Sequence, residues 1–180
     1  INPYATIQKG IEMSSDGDTV LVGEGIYIGA CIENKKITIA SSYIFNENNY
    51  DIIENTILDG ENTNRLINLM NNNNNVTLVG LTIQNGYGNW GGAIGFGNGD
   101  TLALKNCNFI NNVADQGGGV FSSNGGAVDI FNCLFDNNSS VNGRSVINIG
   151  NDVNDENSNI SISIKYSTFN NNSSDSKGAV

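Results

Sequence analysis

Asn106-Cys107-Asn108-Phe109-Ile110-Asn111-Asn112 and Asn132-Cys133-Leu134-Phe135-Asp136-Asn137-Asn138 share one pattern, offset by an interval of 26. Gly91-Gly92-Ala93-Ile94 returns as Gly117-Gly118-Gly119-Val120 at the same interval. The period runs back from Phe109 to Ile83, and from Ile83 to Ile57. Forward, the next match to Phe135 is Phe169, at an interval of 34. The surplus over one period fits an insertion in the polar stretch 151–158. Ser176-Lys177-Gly178-Ala179-Val180 then returns to the glycine element. A fixed period of this kind decides architecture before any local propensity does.

The aligned columns are chemically uniform. One reads Val76, Leu102, Val128, Ile162; the next Leu78, Leu104, Ile130, Ile164. Others read Leu81, Cys107, Cys133, Ser167; Ile83, Phe109, Phe135, Phe169; and Asn85, Asn111, Asn137, Asn171. Apolar and polar residues alternate along each repeat, which predicts strands with one buried face. The phase break at Asn106 and Asn132 predicts a bend between two strands. A repeat this short cannot bury its own apolar face, so identical repeats must stack. Asn suits the bends because it tolerates left-handed backbone and its amide can bond the Asn above and below. The expected fold is all-β, a parallel β-solenoid of about six coils and of order 30 Å tall.

Composition agrees. Asn occurs 34 times, Gly 22 and Pro once, the profile of many tight turns. The chain has no His, which excludes Ser-His-Asp hydrolysis, Cys-His nucleophiles and HExxH zinc sites. Eight Lys and Arg face eighteen Asp and Glu, which argues against nucleic acid as a partner. No apolar run reaches the roughly 18 residues of a membrane span, so no membrane insertion is expected of this segment. Three cysteines, an odd number, cannot make a complete internal disulfide set.

Residues 1–18 read as a capping helix and turn, with Asn2 as cap, Pro3 at the first position, Tyr4, Ile7 and Ile11 on one face, and Gly17 at the stop. Thr19-Val20-Leu21-Val22 is the first strand, and residues 19–180 are the coils. The chain starts at Ile1, so the expectation is a removed signal peptide or a fragment of a longer protein. Nothing caps Val180, so the coils are expected to continue beyond it or to associate end to end with another chain.

Ile7-Gln8-Lys9-Gly10-Ile11 followed by residues 16–27 resembles the opening of right-handed parallel β-helix proteins of the pectin-lyase-like group. Thr56-Ile57-Leu58-Asp59-Gly60 and residues 79–86 are similar to their next part. Gly91-Gly92-Ala93-Ile94 with Phe109-Ile110-Asn111-Asn112, and Gly125-Gly126-Ala127-Val128 with Phe135-Asp136-Asn137-Asn138, resemble the repeats of polymorphic outer-membrane proteins. The resemblance implies a right-handed helix, export to a bacterial or archaeal envelope, and a larger multi-module protein. Such families include polysaccharide lyases, glycoside hydrolases and adhesin-like proteins, and fold alone does not choose among them.

Lyase chemistry needs a basic residue beside a uronate, for which Lys105, Lys165, Arg144 and Arg65 are candidates. Lys105 and Lys165 share a column with Phe131 between them and read as solvated. Hydrolase chemistry needs converging carboxylates. The family's aspartate motifs are missing, and Asp100 and Asp129 read as turn and surface residues. Asp152, Asn154 and Glu156 place oxygen ligands at alternate positions, as calcium loops do. Asp16 and Asp18 are similar. Tyr87 and Trp90 set two aromatics in a glycine-rich turn, the kind of surface that packs on sugar rings. Cys107 and Cys133 read as small buried hydrophobes, and Cys31 stands isolated. The expectation is therefore a non-catalytic, exported segment of a secreted or cell-surface protein. It acts in adhesion, carbohydrate binding or scaffolding, with a polysaccharide or cell-surface glycan as partner and calcium as the one ion to consider. The alternatives are a lyase or hydrolase with part of its site in missing coils, and a self-assembling element.

Overall fold

A computed structural model describes residues 3–70, 73–97, 99–123, 125–142, 145–150 and 160–175. Among them, every strand pair is parallel, in four stacked sheets. The first sheet orders Thr19–Val22, Lys36–Ser41, Asn75–Val79, Thr101–Lys105, Gly126–Phe131 and Ile160–Lys165. The second orders Gly25–Tyr27, Thr56–Asp59, Thr82–Gln84, Asn108–Ile110, Leu134–Asp136 and Thr168–Asn170. A narrow third holds Tyr87–Gly88, Val113–Ala114, Ser139–Ser140 and Ser173–Ser174. The fourth orders Ala30–Glu33, Ile67–Met70, Ile94–Gly95, Gly118–Ser123 and Ser145–Ile149. The chain passes through the sheets in turn and returns to the first, one strand further along. The result is an all-β, all-parallel, solenoid-like stack.

The columns read from the sequence are the register of the ladders. Val76, Leu102, Val128 and Ile162 pair in line, as do Leu78, Leu104, Ile130 and Ile164. Their alternation puts Leu102, Leu104, Cys107 and Phe109 in one continuous core. Phe109, Phe135 and Phe169 stack with ring centroids 5.0 and 4.5 Å apart and nearly parallel planes. One strand separation is close to the stacking distance of parallel rings, so equivalent rings on successive passes stack face to face here.

The two duties expected of one asparagine column are divided between neighbours. Asn85, Asn111, Asn137 and Asn171 take the left-handed conformation, with φ of 51–55°. The residue after each of the last three turns inward instead. Asn112 Oδ1 accepts from the Gly86 N–H at 2.9 Å, and Asn112 Nδ2 donates to Ile83 O and to Asn138 Oδ1, each at 3.0 Å. Asn138 repeats this one strand further on, with Asn172 as acceptor and Phe109 O as second partner. Asn112 and Asn138 are fully buried. At the other bend the left-handed position is held by Gly80, Asn106, Asn132 and Tyr166. There Asn132 Nδ2 donates to Asn106 Oδ1 at 2.7 Å.

Two register expectations need correction. Leu58, not Ile57, lies beside Ile83, which shortens the interval there by one. Ile94 pairs with Phe121 and Ile67, which lengthens the interval in the fourth sheet by one, and Val120 is not its partner. The register shifts again between Gly118 and Phe121. Bulges absorb single residues between bends without disturbing the columns on either side. Ile39 pairs with Leu78, well over one period away, because residues 42–55 leave the stack. This excursion forms a 3₁₀ turn, Ser42–Phe45, and a short helix, Asp51–Asn55, over a small cluster of Tyr43, Ile52 and Ile53.

The N-terminal helix, Ile7–Met13, starts later than expected. Its cap is Thr6, whose hydroxyl accepts from the Lys9 N–H at 3.1 Å. A threonine cap outranks the proline signal because it satisfies an otherwise unpaired helix donor. Pro3 and Tyr4 precede the helix, and Tyr4 is exposed, while Asn2 lies outside the described residues. Ile7 and Ile11 are buried against the first and fourth sheets. Gln8 Oε1 accepts from the Cys31 N–H at 2.9 Å, so the helix also satisfies an edge strand.

Replacing Asn112 by Ala orphans the buried Gly86 N–H, takes the second donor from the Ile83 carbonyl and breaks the amide column at Asn138. Chemical denaturation should show a loss of about 2–4 kcal/mol. Asn111→Ala forfeits only the left-handed preference, about 1–2 kcal/mol. Asn111→Gly should lie close to the parent.

Candidate functional site

The outward face of the fourth sheet carries the column Cys31, Asn68, Gly95, Ser122, Asn148. Small and polar side chains here leave a groove in two halves that share Arg65 and Asn68. The upper half, about 470 Å³, is lined by Trp90, Phe96 and Ser122 among others. The lower half, about 430 Å³, includes Gln8, Cys31, Asp59 and Glu61.

Arg65 organises the join. Its Nε donates to Gly91 O at 2.8 Å, one Nη donates to Trp90 O, and the other donates to Asn68 Oδ1 at 2.9 Å. Among the described residues no acidic partner pairs with it; the ion pair there is Lys9–Glu12. Partial burial weakens its hold on the proton, yet a guanidinium stays charged throughout. The room it needs comes from Gly95, where a Cβ would collide with one guanidinium nitrogen. Trp90 is half exposed at the rim.

Asp59 lies at the edge of the lower half. Partial burial opposes its charge, but three donors outweigh that cost. Gln84 Nε2 donates at 2.7 Å, the Glu61 N–H at 2.8 Å, and Asn85 Nδ2 at 3.0 Å. Its carboxyl is therefore held below the ordinary carboxylate range.

The sequence candidates are scattered differently from expectation. Trp90 lines the groove. Tyr87 does not; it sits on the third sheet, and its hydroxyl donates to Asp115 Oδ2 at 2.7 Å, which makes that proton harder to remove. The two aromatics share a turn in sequence but diverge because the strand of the third sheet ends at Gly88 and the chain bends through Asn89 and Trp90. Lys105 and Lys165 are exposed on the first sheet, with Phe131 between them. Arg65 is the one described cation of the lyase set in a groove, and Arg144 lies outside the described residues.

Asp129 is exposed, between Ala103 and Ser163. Asp100 is a turn residue but a buried one, accepting from the Asn74 N–H at 2.9 Å and the Gly97 N–H at 2.8 Å. Asp16 and Asp18 accept backbone N–H bonds from Lys36 and Ser15, so they build the turn before the first strand. The calcium loop of Asp152, Asn154 and Glu156, and the edge at 176–180, lie outside the described residues. Among the described residues no three His, Cys, Asp or Glu side chains converge as metal ligands. Cys107 and Cys133 are buried core residues in line, and burial pushes the Cys107 thiol well up. Cys31 is half-buried in the groove wall.

Asn68, Phe96, Ser122, Asp59 and Glu61 went unnoticed as site residues in the sequence. The available signal was Arg65 itself, one of two arginines, exactly one period before Gly91. No family model, no curated protein and no solved structure matches this chain.

The Asp59 shift has a definite sign. A depressed folded pKa stabilises the fold above the unfolded value of about 3.9, and this stability disappears as pH falls through the folded value. Titrating unfolding free energy from pH 6 to 2, Asp59→Asn should show a shallower acid loss than the parent.

Proposed function

We propose that this chain is a right-handed parallel β-helix of about six coils, a segment of a larger protein that is secreted or held at a cell surface. In this reading it binds a polysaccharide or cell-surface glycan and does not transform it. The supporting observation is Trp90, half exposed at the rim of an open groove of mixed polar and apolar lining. An indole face packs on the C–H surface of a sugar ring, and neighbouring amides and hydroxyls pair with its hydroxyls. Handedness and export rest on the sequence resemblance. The bend-and-column pattern of the stack supports the coil count.

Asp59 and Glu61 in the lower half favour a second reading, a glycoside hydrolase acting in the same groove. The hydrogen bonds that hold Asp59 ionised suit it poorly as a general acid. Half-exposed Ile160, Ile162 and Ile164, on the last described strand of the first sheet, favour end-to-end self-association as a third. Calcium enters only through Asp152, Asn154 and Glu156.

The deciding experiment is product formation on neutral and acidic polysaccharides, with and without calcium, alongside binding to the same polymers. Retention on a polymer with no new reducing or unsaturated ends is the expected outcome. New ends would replace this reading with the enzymatic one. The absence of both retention and product would remove carbohydrate as the partner.

A further inference from the structure

Resting on the carbohydrate-binding reading, we infer that the groove takes a neutral oligosaccharide and rejects uronates, and that Arg65 is the residue that positions Trp90. An acidic sugar is held best by a cation with its full set of donors free. Arg65 is the described cation of the groove lining, and three of its five N–H donors, one on each nitrogen, are already given to protein acceptors, two of them backbone carbonyls. A carboxylate entering the lower half would also meet Asp59, held ionised, and Glu61. The whole chain carries a net charge of −10, which adds to the repulsion. A neutral sugar meets none of these penalties. Its hydroxyls find Asn68 and Ser122, and its apolar face finds Trp90.

The clamp gives this arginine a role that does not depend on an anion. The Trp90-Gly91 turn lies between sheets, and its two carbonyls point at one guanidinium. A planar fork can hold two acceptors at once, whereas an ammonium on a flexible stem cannot fix both. Fixing the turn fixes the indole before the ligand arrives, which lowers the ordering cost of binding. The column from Cys31 to Ser122 spans three strand spacings, about 14 Å, so a short oligosaccharide lies along the stack.

Trp90 is the sole tryptophan, so its emission reports on the site directly. The probes are cellohexaose and mannohexaose as neutral ligands and hexagalacturonate as the acidic one, read by calorimetry and by acrylamide quenching. A neutral hexaose should bind, protect Trp90 from quenching, and hold its affinity as salt rises. Trp90→Ala should weaken that binding by roughly tenfold or more. Arg65→Lys and Arg65→Met, measured at temperatures where both remain folded, should increase quenching of the free protein and weaken binding severalfold. Asp59→Asn with Glu61→Gln should raise affinity for hexagalacturonate.

Hexagalacturonate binding as tightly as the neutral ligands would overturn the ligand class and leave carbohydrate binding standing. Unchanged quenching and affinity in Arg65→Lys would overturn the positioning role alone. Binding indifferent to Trp90→Ala would place the ligand elsewhere and overturn the inference. Binding of none of the three probes would overturn it together with the proposed groove.

Discussion

The in-register contact between one pass of the chain and the next is the constraint from which the rest of this protein follows. Parallel strands bond only to the strands above and below, so every bend leaves polar backbone groups facing the interior. The buried amides of Asn112 and Asn138 answer that demand. Each accepts an N–H from the pass below and donates to a carbonyl of that same pass, while bonding to the next amide above. Because both ends of the amide are used, the column has one register. The phenylalanine stack and the aliphatic columns then fall into line without further instruction.

With the core satisfied internally, the outer faces of the sheets are free to vary. That freedom shows in the fourth sheet, whose inward residues stay apolar while the outward column becomes small and polar. The interval there is longer by one, and the bends on either side restore the common period. A groove arises where the outward side chains are short, and Arg65 fills the gap between its halves. The site is thus a product of what the core permits, not of a motif written along one strand.

Much of the architecture was legible in the residues. Alternation along Leu102 and Leu104, repetition into Val128 and Ile130, and the paired asparagines identify strands, columns and bends, because stacking repeats each local demand at a fixed interval. Handling of single-residue slips was not legible. Ile57 and Leu58 are both large and apolar, so composition cannot say which faces inward; the bend geometry decides for Leu58. The helix start failed for a similar reason, since Asn2-Pro3 and Thr6 are both plausible caps, and the bond from the Lys9 N–H to the Thr6 hydroxyl chooses between them. Of the site, Trp90 was legible as an unusual aromatic in a glycine-rich turn. Its separation from Tyr87 was not.

By itself, the sequence determined an all-β parallel stack with a periodic core, because a column of like residues at constant spacing has few other ways to bury itself. It also set the charge balance and the absence of imidazole chemistry. Only the tertiary structure decided that Arg65, from one pass, would hold the carbonyls of Trp90 and Gly91 on the next, and that Asp59 would be locked by Gln84 and Asn85. Those contacts join successive passes through side chains of different chemistry. No repetition announces them, because a repeat reports what each pass has in common, and a site is built where successive passes differ.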